Sequence, residues 1–374
     1  MNNIERIINT VLGKKIDRLP FFIHWALNAW ILTRRNWEKQ GVRNGENWKA
    51  ELEEQTGLKF DSGFLSVGID IGRKEGVNLG YCPFFEEVVL EDRGDRHVIQ
   101  DRMGIVQLAK KDRSSIPFFL DYPIKNKKDW EKILKERLNP DSPERYPKNW
   151  DELIEEFKNG GCALQIGEYP YGFFGTLRDF MGAEELLVSF YTQPELIKEM
   201  MGYLTEFWIT IYSKVCKDLK INHIHMWEDM SGRQGSMLSP KMIKEFMLPN
   251  YKKIKKFANE KGIEVLSVDT DGKVDELLPI FIEGGVNLVF PFEVAAGSDI
   301  VKISQEYPEL CIMGGIDKRE LAKGKEYIDR ELARISPMFK SKKYIPGLDH
   351  GIPPDISWEN FKYYIKRLHN YIFN

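Results

Sequence analysis

The 374-residue sequence predicts an α/β fold, a (β/α)8 TIM barrel, from three observations. Short apolar, β-branched runs alternate with longer amphipathic segments, as they do in successive βα units of a parallel sheet. Eight such runs are present, which is the number of strands in the barrel. Polar residues follow most of these runs directly. The runs cover residues 19–25, 61–67, 162–167, 223–227, 263–268, 287–292, 310–314 and 344–348.

Good helix signals separate the later runs. Apolar residues recur at intervals of three and four over residues 240–261, which predicts one amphipathic helix there. Ser239 is a suitable N-cap, Pro240 suits the first helical position, and Gly262 ends the helix. A second helix is predicted over residues 274–283, before two consecutive glycines.

The region from about residue 80 to residue 150 interrupts this rhythm. Residues 87–90, 97–100 and 104–108 are short β-branched runs that indicate an antiparallel insertion, with a charged turn after the first of them. Residues 125–150 are rich in Lys, Glu and Pro and indicate a solvated helical excursion rather than a linker. We therefore expect a β-hairpin and helical insertion in the N-terminal third of a single domain, residues 1–374.

Composition excludes several classes of protein. Hydrophobic residues make up 42% and charged residues 30%, and the net charge of −3 gives no reason to expect a nucleic-acid partner. The four cysteines have no metal-ligand or disulfide-framework spacing. No apolar run is long enough to span a membrane, and the N-terminus lacks an apolar signal region. We expect a cytoplasmic monomer or homodimer without a membrane partner.

In a TIM barrel, catalytic residues come from the carboxyl ends of different strands. Carboxylates that recur beside an apolar core are costly to bury unless they are paired, protonated or bound to a cation. Turn formation or helix capping explains any one of them equally well, but explains the whole set less well. The expected catalytic residues are Glu168, Glu228 and His350, and the expected substrate-binding residues are His24, Trp25, Asn28, Tyr169, Tyr171 and Trp227.

Asp269 and Asp271 are two residues apart and lie on the same side of an extended chain. With Glu293 and His350 they form a candidate metal site. Zinc accepts both carboxylate and imidazole ligands, whereas calcium and magnesium prefer more oxygen ligands. Asp271 is alternatively a cap before Gly272.

Four motifs resemble the uroporphyrinogen decarboxylase superfamily, which includes decarboxylases and zinc-dependent methylcobamide:coenzyme M methyltransferases. They are GLDHGIPPD at residues 347–355, LSP at 238–240, MGGID at 313–317 and DRLP at 17–20. The resemblance covers most of the chain and implies a TIM barrel.

Departures from the family pattern favour one branch. The arginine-rich segment of true decarboxylases is replaced by HWALNAW at residues 24–30, so porphyrinogen decarboxylation is not expected. The zinc-binding cysteines and histidine of the methyltransferases correspond to Asp269, Asp271 and His350. These harder ligands keep a metal site feasible but disfavour a thiol acceptor.

The resemblance thus implies a corrinoid-linked methyltransferase. Zn²⁺ would activate a small substrate, such as an aromatic or methoxylated compound, and a partner corrinoid protein would supply cobalamin. Two alternatives stay open. One is a decarboxylase or lyase that acts on a small carboxylate, and the other is a binding barrel without turnover.

Overall fold

The computed structural model describes residues 1–69 and 75–374, apart from the side chain of Trp25. The helices are α1 (Asn3–Leu12), α2 (Ile31–Lys39), α3 (Trp48–Thr56), α4 (Lys127–Arg137), α5 (Trp150–Asn159), α6 (Phe173–Met181), α7 (Ala183–Thr192), α8 (Pro194–Asp218), α9 (Pro240–Phe246), α10 (Leu248–Lys261), α11 (Leu278–Glu283), α12 (Ile300–Glu306), α13 (Lys318–Ala322), α14 (Lys325–Arg334) and α15 (Trp358–Phe373). The strands are β1 (Phe64–Ser66), β2 (Val88–Arg93), β3 (Arg96–Gln100), β4 (Val106–Lys110), β5 (Phe118–Asp121), β6 (Ala163–Ile166), β7 (His223–Trp227), β8 (Ser231–Gly232), β9 (Gly235–Ser236), β10 (Val265–Asp269), β11 (Leu288–Phe290), β12 (Cys311–Met313) and β13 (Tyr344–Ile345).

Seven strands form one parallel sheet in the order β1-β6-β7-β10-β11-β12-β13. Each strand pairs with the next strand of the sheet along the chain, and helices connect most of these pairs. This arrangement confirms the predicted α/β fold with parallel strands. Seven of the eight predicted runs contain a strand of this sheet.

The first predicted run, residues 19–25, is not a strand. Pro20 has no backbone N–H to donate, and the Phe21 N–H donates to the Asp61 carboxylate at 2.8 Å instead of to a strand carbonyl. The Asp61 N–H donates to the Phe21 carbonyl at 2.7 Å. Farther along, the Ile352 N–H donates to the Asn28 carbonyl at 3.0 Å. The segment is thus joined to the chain near Asp61 on one side and near Ile352 on the other. A few hydrogen bonds join it on each side, instead of the regular ladder of a β-strand.

The inward side of the parallel sheet changes character along the strands. Toward the strand starts it is apolar and packs with α1, in a cluster that includes Ile7, Val11, Ala163, Val265 and Leu288. Toward the strand ends it is polar in β6, β7 and β10. The Ser267 hydroxyl lies 2.6 Å from His223 Nε2 and 2.8 Å from His225 Nδ1. A buried polar layer therefore underlies the carboxyl ends of these strands.

The helix predicted over residues 240–261 is two helices, α9 and α10, with Met247 between them. Pro249 cannot donate a backbone hydrogen bond, which interrupts the helical ladder at this point. The predicted cap is confirmed, because the Ser239 hydroxyl accepts from the Met242 N–H at 3.3 Å. Gly262 ends α10 at φ +68°, as predicted. No helix in the described part of the chain is long and apolar enough to cross a membrane.

The insertion is larger than the predicted hairpin. Strands β2 to β5 form a four-stranded antiparallel sheet in chain order, and α4 and α5 follow it. The sequence prediction placed no strand at residues 118–121, where β5 has four residues that are all exposed. The predicted helical region, residues 125–150, contains α4, whereas α5 begins at its last residue.

A buried arginine holds the chain around this insertion. Arg145 is fully buried, and its guanidinium donates to the carbonyl oxygens of Asn78, Gly80, Arg137 and Asn139 at 2.7–3.0 Å. These carbonyls come from separate segments, so one side chain satisfies the backbone of several loops at once.

Candidate active site at the carboxyl ends of the parallel strands

Three aspartates and one histidine lie near one another where β7, β10 and β13 lead into their loops. We call Asp229, Asp269, Asp271 and His350 the acid cluster. Asp229 follows β7, Asp269 ends β10, Asp271 is two residues beyond it, and His350 follows β13. His350 Nε2 lies 3.3 Å from Asp271 Oδ2, and both side chains are partly exposed. The parallel order of the sheet is what brings these distant residues together.

The acid cluster is electrostatically crowded. Burial, and then the charges of Asp271 and Asp229, raise the pKa of Asp269 well above its ordinary value. Burial also raises the pKa of Asp229, although Arg178 opposes the rise with an ion pair of 2.7 Å. Like charges that repel one another and are partly removed from water favour uptake of a proton or a cation.

His350 has the features expected of a proton donor. Burial alone would lower the pKa of His350, but the hydrogen bond and the charge of Asp271, together with the charge of Glu293, outweigh burial and raise it. The imidazolium form is therefore favoured over a wider pH range than for a free histidine. A raised pKa, partial exposure and a carboxylate partner are features of a general acid.

A second group of charges lies beside the acid cluster. Lys318 Nζ is 3.1 Å from Glu293 Oε1 and 3.8 Å from Asp349 Oδ1. Glu293 also accepts from the Gly272 N–H at 3.1 Å. Asp349 accepts from the backbone N–H groups of Val294 and Lys318, both at 3.0 Å. These contacts tie the loops after β10, β11, β12 and β13 to one another.

The predicted zinc ligands have different partners in the structure. Asp271 and His350 are in contact, but Glu293 is paired with Lys318, a cation that disfavours a metal ion beside it. Within residues 1–69 and 75–374, no three His, Cys, Asp or Glu side chains converge as metal ligands do. Zinc prefers four ligands in tetrahedral geometry, usually with at least three from the protein. The bound metal therefore stays a prediction.

Glu228, predicted to be catalytic, caps a helix in the structure. It is fully buried, and its carboxylate accepts from the backbone N–H groups of Phe173 at 3.1 Å and Phe174 at 2.6 Å, at the start of α6. The Tyr251 hydroxyl donates to it at 2.6 Å. The helix begins at Gly172, which has no side chain to serve as a cap. Burial raises the pKa of Glu228 to about 7, although these hydrogen bonds oppose the rise.

Glu168, also predicted to be catalytic, lies with Tyr171. Both are buried, and the Tyr171 N–H donates to the Glu168 carbonyl at 2.6 Å. Burial, and then the charge of Glu168, raise the pKa of Tyr171. The Tyr171 hydroxyl lies against Gly80, at the start of the insertion. Glu168, which contacts Tyr171, therefore lies close to the insertion.

Tyr169 and Trp227, two of the predicted substrate-binding aromatics, lie beside the acid cluster. The rings of Tyr169 and Trp227 meet edge to face with centroids 4.5 Å apart. The Arg178 guanidinium lies 4.6 Å from the centre of the Trp227 ring, and the same guanidinium pairs with Asp229. Trp30, which is 48% exposed, meets the His350 ring edge to face at 6.0 Å. Aromatic side chains thus flank the acid cluster on two sides.

The other predicted substrate contacts differ in burial. His24 is buried inside the sheet, where its ring meets that of Phe290 at 4.8 Å, and burial lowers its pKa well below the ordinary value. Asn28 is half-buried, and its side-chain oxygen accepts from the Ala29 N–H at 2.8 Å. The Trp25 side chain lies outside the described part of the chain.

The predicted site residues did not include Asp229, Arg178 or Lys318, which lie at the candidate site. Asp229 follows a predicted strand directly, so its position was a usable signal, and its φ of +38° marks a strained backbone of the kind found at functional sites. Arg178 and Lys318 lie on helices α6 and α13. No sequence pattern indicates which exposed helix cation folds back onto a strand end.

Comparisons with known proteins agree with this fold. The family model described as Uroporphyrinogen decarboxylase (URO-D) matches residues 174–371, which is more than half of the chain. Among 22 matching solved chains is a methyltransferase from Methanosarcina mazei, with a TM-score of 0.59, 14% sequence identity and coverage of 99% of both chains. No protein of curated function matches the sequence. The chain belongs to the uroporphyrinogen decarboxylase family.

Proposed function

We propose that the chain is an enzyme that transfers a methyl group from a small methylated oxygen or nitrogen compound to a corrinoid carried by a partner protein. The observation that carries this proposal is the contact of His350 with Asp271, at the mouth of the parallel sheet beside Asp229 and Asp269. The methyltransferase from Methanosarcina mazei, which has the same fold, adds support.

The chemistry needs a proton at the leaving group. When the bond between the methyl carbon and the heteroatom breaks, the heteroatom keeps the electron pair and is a poor leaving group unless it is protonated. His350 is hydrogen-bonded to Asp271 and has a raised pKa, so it can deliver that proton. The carboxylate of Asp271 orients the ring and stabilises its charged form. The reduced corrinoid of the partner protein would supply the nucleophile that accepts the methyl group.

The charge of the acid cluster disfavours the alternative of a decarboxylase or lyase that acts on a small carboxylate. Three aspartates share two cationic partners, Arg178 and His350. A substrate carboxylate would be repelled there, and each buried like-charge contact is costly. A neutral or cationic methyl donor meets no such repulsion.

The flanking aromatics suit a small apolar body. Trp227 is largely buried and Trp30 is half exposed, so a donor between them would contact one rigid wall and one accessible wall. We propose these two side chains and Tyr169 as substrate contacts, and His350 with Asp271 as the catalytic pair.

The test is methyl transfer to free cob(I)alamin, followed by its absorbance, with methanol, methylamine and 2-methoxyphenol as separate donors. We expect one donor to give methylated cobalamin, and His350→Gln to slow the reaction by roughly 100-fold, the low end for a general acid. His97→Gln, in the insertion strand β3, is the matched control and should keep the wild-type rate. The rate should fall as pH rises through the raised pKa of His350.

Two outcomes would contradict the proposal. One is release of carbon dioxide from a small acid with no methylation of cobalamin from any donor, which would favour the carboxy-lyase alternative. The other is methyl transfer at the wild-type rate in His350→Gln. Elemental analysis of the purified protein tests the zinc prediction separately, because the proposed proton transfer does not use a metal.

We also propose that the parallel sheet closes into a complete barrel through residues 21–29. Hydrogen bonds join Phe21 to Asp61 on one side of this segment and Asn28 to Ile352 on the other, which supports closure. The single-domain organisation, the cytoplasmic location and the monomeric or homodimeric state stay predictions.

A further inference from the structure

A pocket of about 460 Å³ opens on the side of the parallel sheet, away from the acid cluster. It lies between residues 22–24, helix α3 and residues 60–64, which lead into β1. Residues 22–24, which border the pocket, form no strand. The walls include the aromatic rings of Phe22, Phe60 and Phe64.

Lys49 of α3 lines this pocket and has few partners. The ammonium donates to the Ile23 carbonyl at 3.3 Å and lies 5.6 Å from the centre of the Trp48 ring. Across the described ranges, 1–69 and 75–374, no carboxylate lies within ion-pair distance of it. Burial lowers the pKa of Lys49, which is the expected response of an ammonium that loses water without gaining a counter-ion.

The two acids that line the same pocket already have cationic partners. Glu53 pairs with Lys59 at 2.8 Å and accepts from the Phe60 N–H at 3.0 Å. Asp61 accepts from Arg18 at 2.7 Å and from Arg6 at 3.2 Å. Among the described residues, the pocket therefore has one positive charge without an ion-pair partner, and it lies beside three phenyl rings.

We propose that this side pocket binds a small monocarboxylate with an apolar body, whose carboxylate group pairs with the Lys49 ammonium. One cation matches one negative charge, and the two remaining N–H groups of the ammonium can donate to carboxylate oxygens. The three phenyl rings provide the contact surface for the apolar body. The inference is independent of the function proposed for the acid cluster.

Calorimetric titration of the full chain with benzoate tests the inference, and benzamide serves as a neutral probe of the same shape. We expect saturable binding of benzoate. Benzamide should bind about tenfold more weakly or worse, the loss typical of one hydrogen bond to a charged group. Inorganic phosphate, with more charge and no apolar body, should also bind more weakly than benzoate.

Variants locate the binding. Lys49→Met keeps the length of the side chain without its charge and should weaken benzoate binding about tenfold or more, whereas Lys49→Arg should retain it. Lys220→Met removes an exposed lysine and should change nothing. Asp271→Asn should also leave benzoate binding unchanged, which separates this pocket from the acid cluster. Equal binding of benzoate and benzamide, or unchanged benzoate binding in folded Lys49→Met, would overturn the inference.

Discussion

Replacement of Glu228 by glutamine should become less destabilising, relative to the wild type, as pH rises. A carboxylate whose charged form is stabilised by folding would give the opposite result. Glu228 accepts hydrogen bonds from the start of α6 and from Tyr251, and these bonds stabilise its charged form. Burial opposes them and is the larger effect, because it raises the pKa of Glu228 from 4.5 to about 7. The ionised carboxylate is therefore less favourable in the folded chain than in the unfolded chain.

The sign and size follow from proton linkage. Between pH 4.5 and about 7 the folded chain holds the Glu228 proton and the unfolded chain has lost it, so the stability of the wild type falls as pH rises. At about 1.4 kcal/mol for each pH unit between these values, the wild type loses about 3 kcal/mol that Glu228→Gln does not lose. Glu228→Gln is a poorer cap and should be less stable than the wild type at pH 5. The difference in unfolding free energy between the two proteins should therefore shrink by pH 8.

The measurement is urea unfolding of both proteins at pH 5 and pH 8, followed by circular dichroism. Other titrating groups cancel in the difference between the two proteins. Gly202→Ala, in α8 with open space around it, alters no titrating group and is the control, so its difference from the wild type should not depend on pH. A difference for Glu228→Gln that stays constant, or that grows against the variant as pH rises, would refute the reasoning. It would mean that the helix amides outweigh burial.

Three further substitutions test other contacts. Asp271→Asn should lower the pKa of His350, because it removes the hydrogen bond and charge that raise it, and an NMR titration of the imidazole measures this. Arg145→Met leaves the buried carbonyls of Asn78 and Gly80 without their donor, removes one donor from those of Arg137 and Asn139, and should cost at least about 3 kcal/mol of unfolding free energy in urea. Gly175→Ala places a Cβ against the carbonyl and ring of Trp227 and should lower stability by about 1–3 kcal/mol in the same assay.

Matched controls separate these effects from the substitution itself. Asp355→Asn removes an exposed carboxylate five positions from His350 and should leave its pKa unchanged. Arg330→Met removes an exposed arginine with a single ion pair of 3.7 Å and should cost little. Gly202→Ala lies in α8 with open space around it, so it should be neutral or stabilising. Equal effects of a test variant and its control would contradict the assigned contact.

The parallel sheet was readable from the sequence because its strands are buried on both sides. Residues 223–227 were predicted as a strand and are β7, residue for residue. The failures occurred where a single nonlocal contact decides the conformation. Asp61 takes the backbone N–H that residues 19–25 would need for a ladder, and an aspartate 40 positions away leaves no local sign of this.

The sequence predicted which acids lie at the strand ends, but not which cations or amides pair with them. Asp269, Asp271 and His350 were identified because they follow strands, and the structure brings them together. Glu293 follows a strand equally well, yet Lys318 takes it. Which cation or amide reaches a given carboxylate depends on helices that pack afterwards, and no spacing rule within one strand encodes it.

This difference in partnership divides the acids at the strand ends into two kinds. Glu228, Glu293 and Asp349 each accept hydrogen bonds from backbone N–H groups, so they hold helices and loops in place. The three aspartates of the acid cluster instead have one another as neighbours, with Arg178 and His350 as their cations. A carboxylate fixed by amides has little left to offer a substrate. A group of carboxylates that repel one another responds strongly to any added proton or cation, and for that reason we place the chemistry at His350 and Asp271 rather than at Glu228.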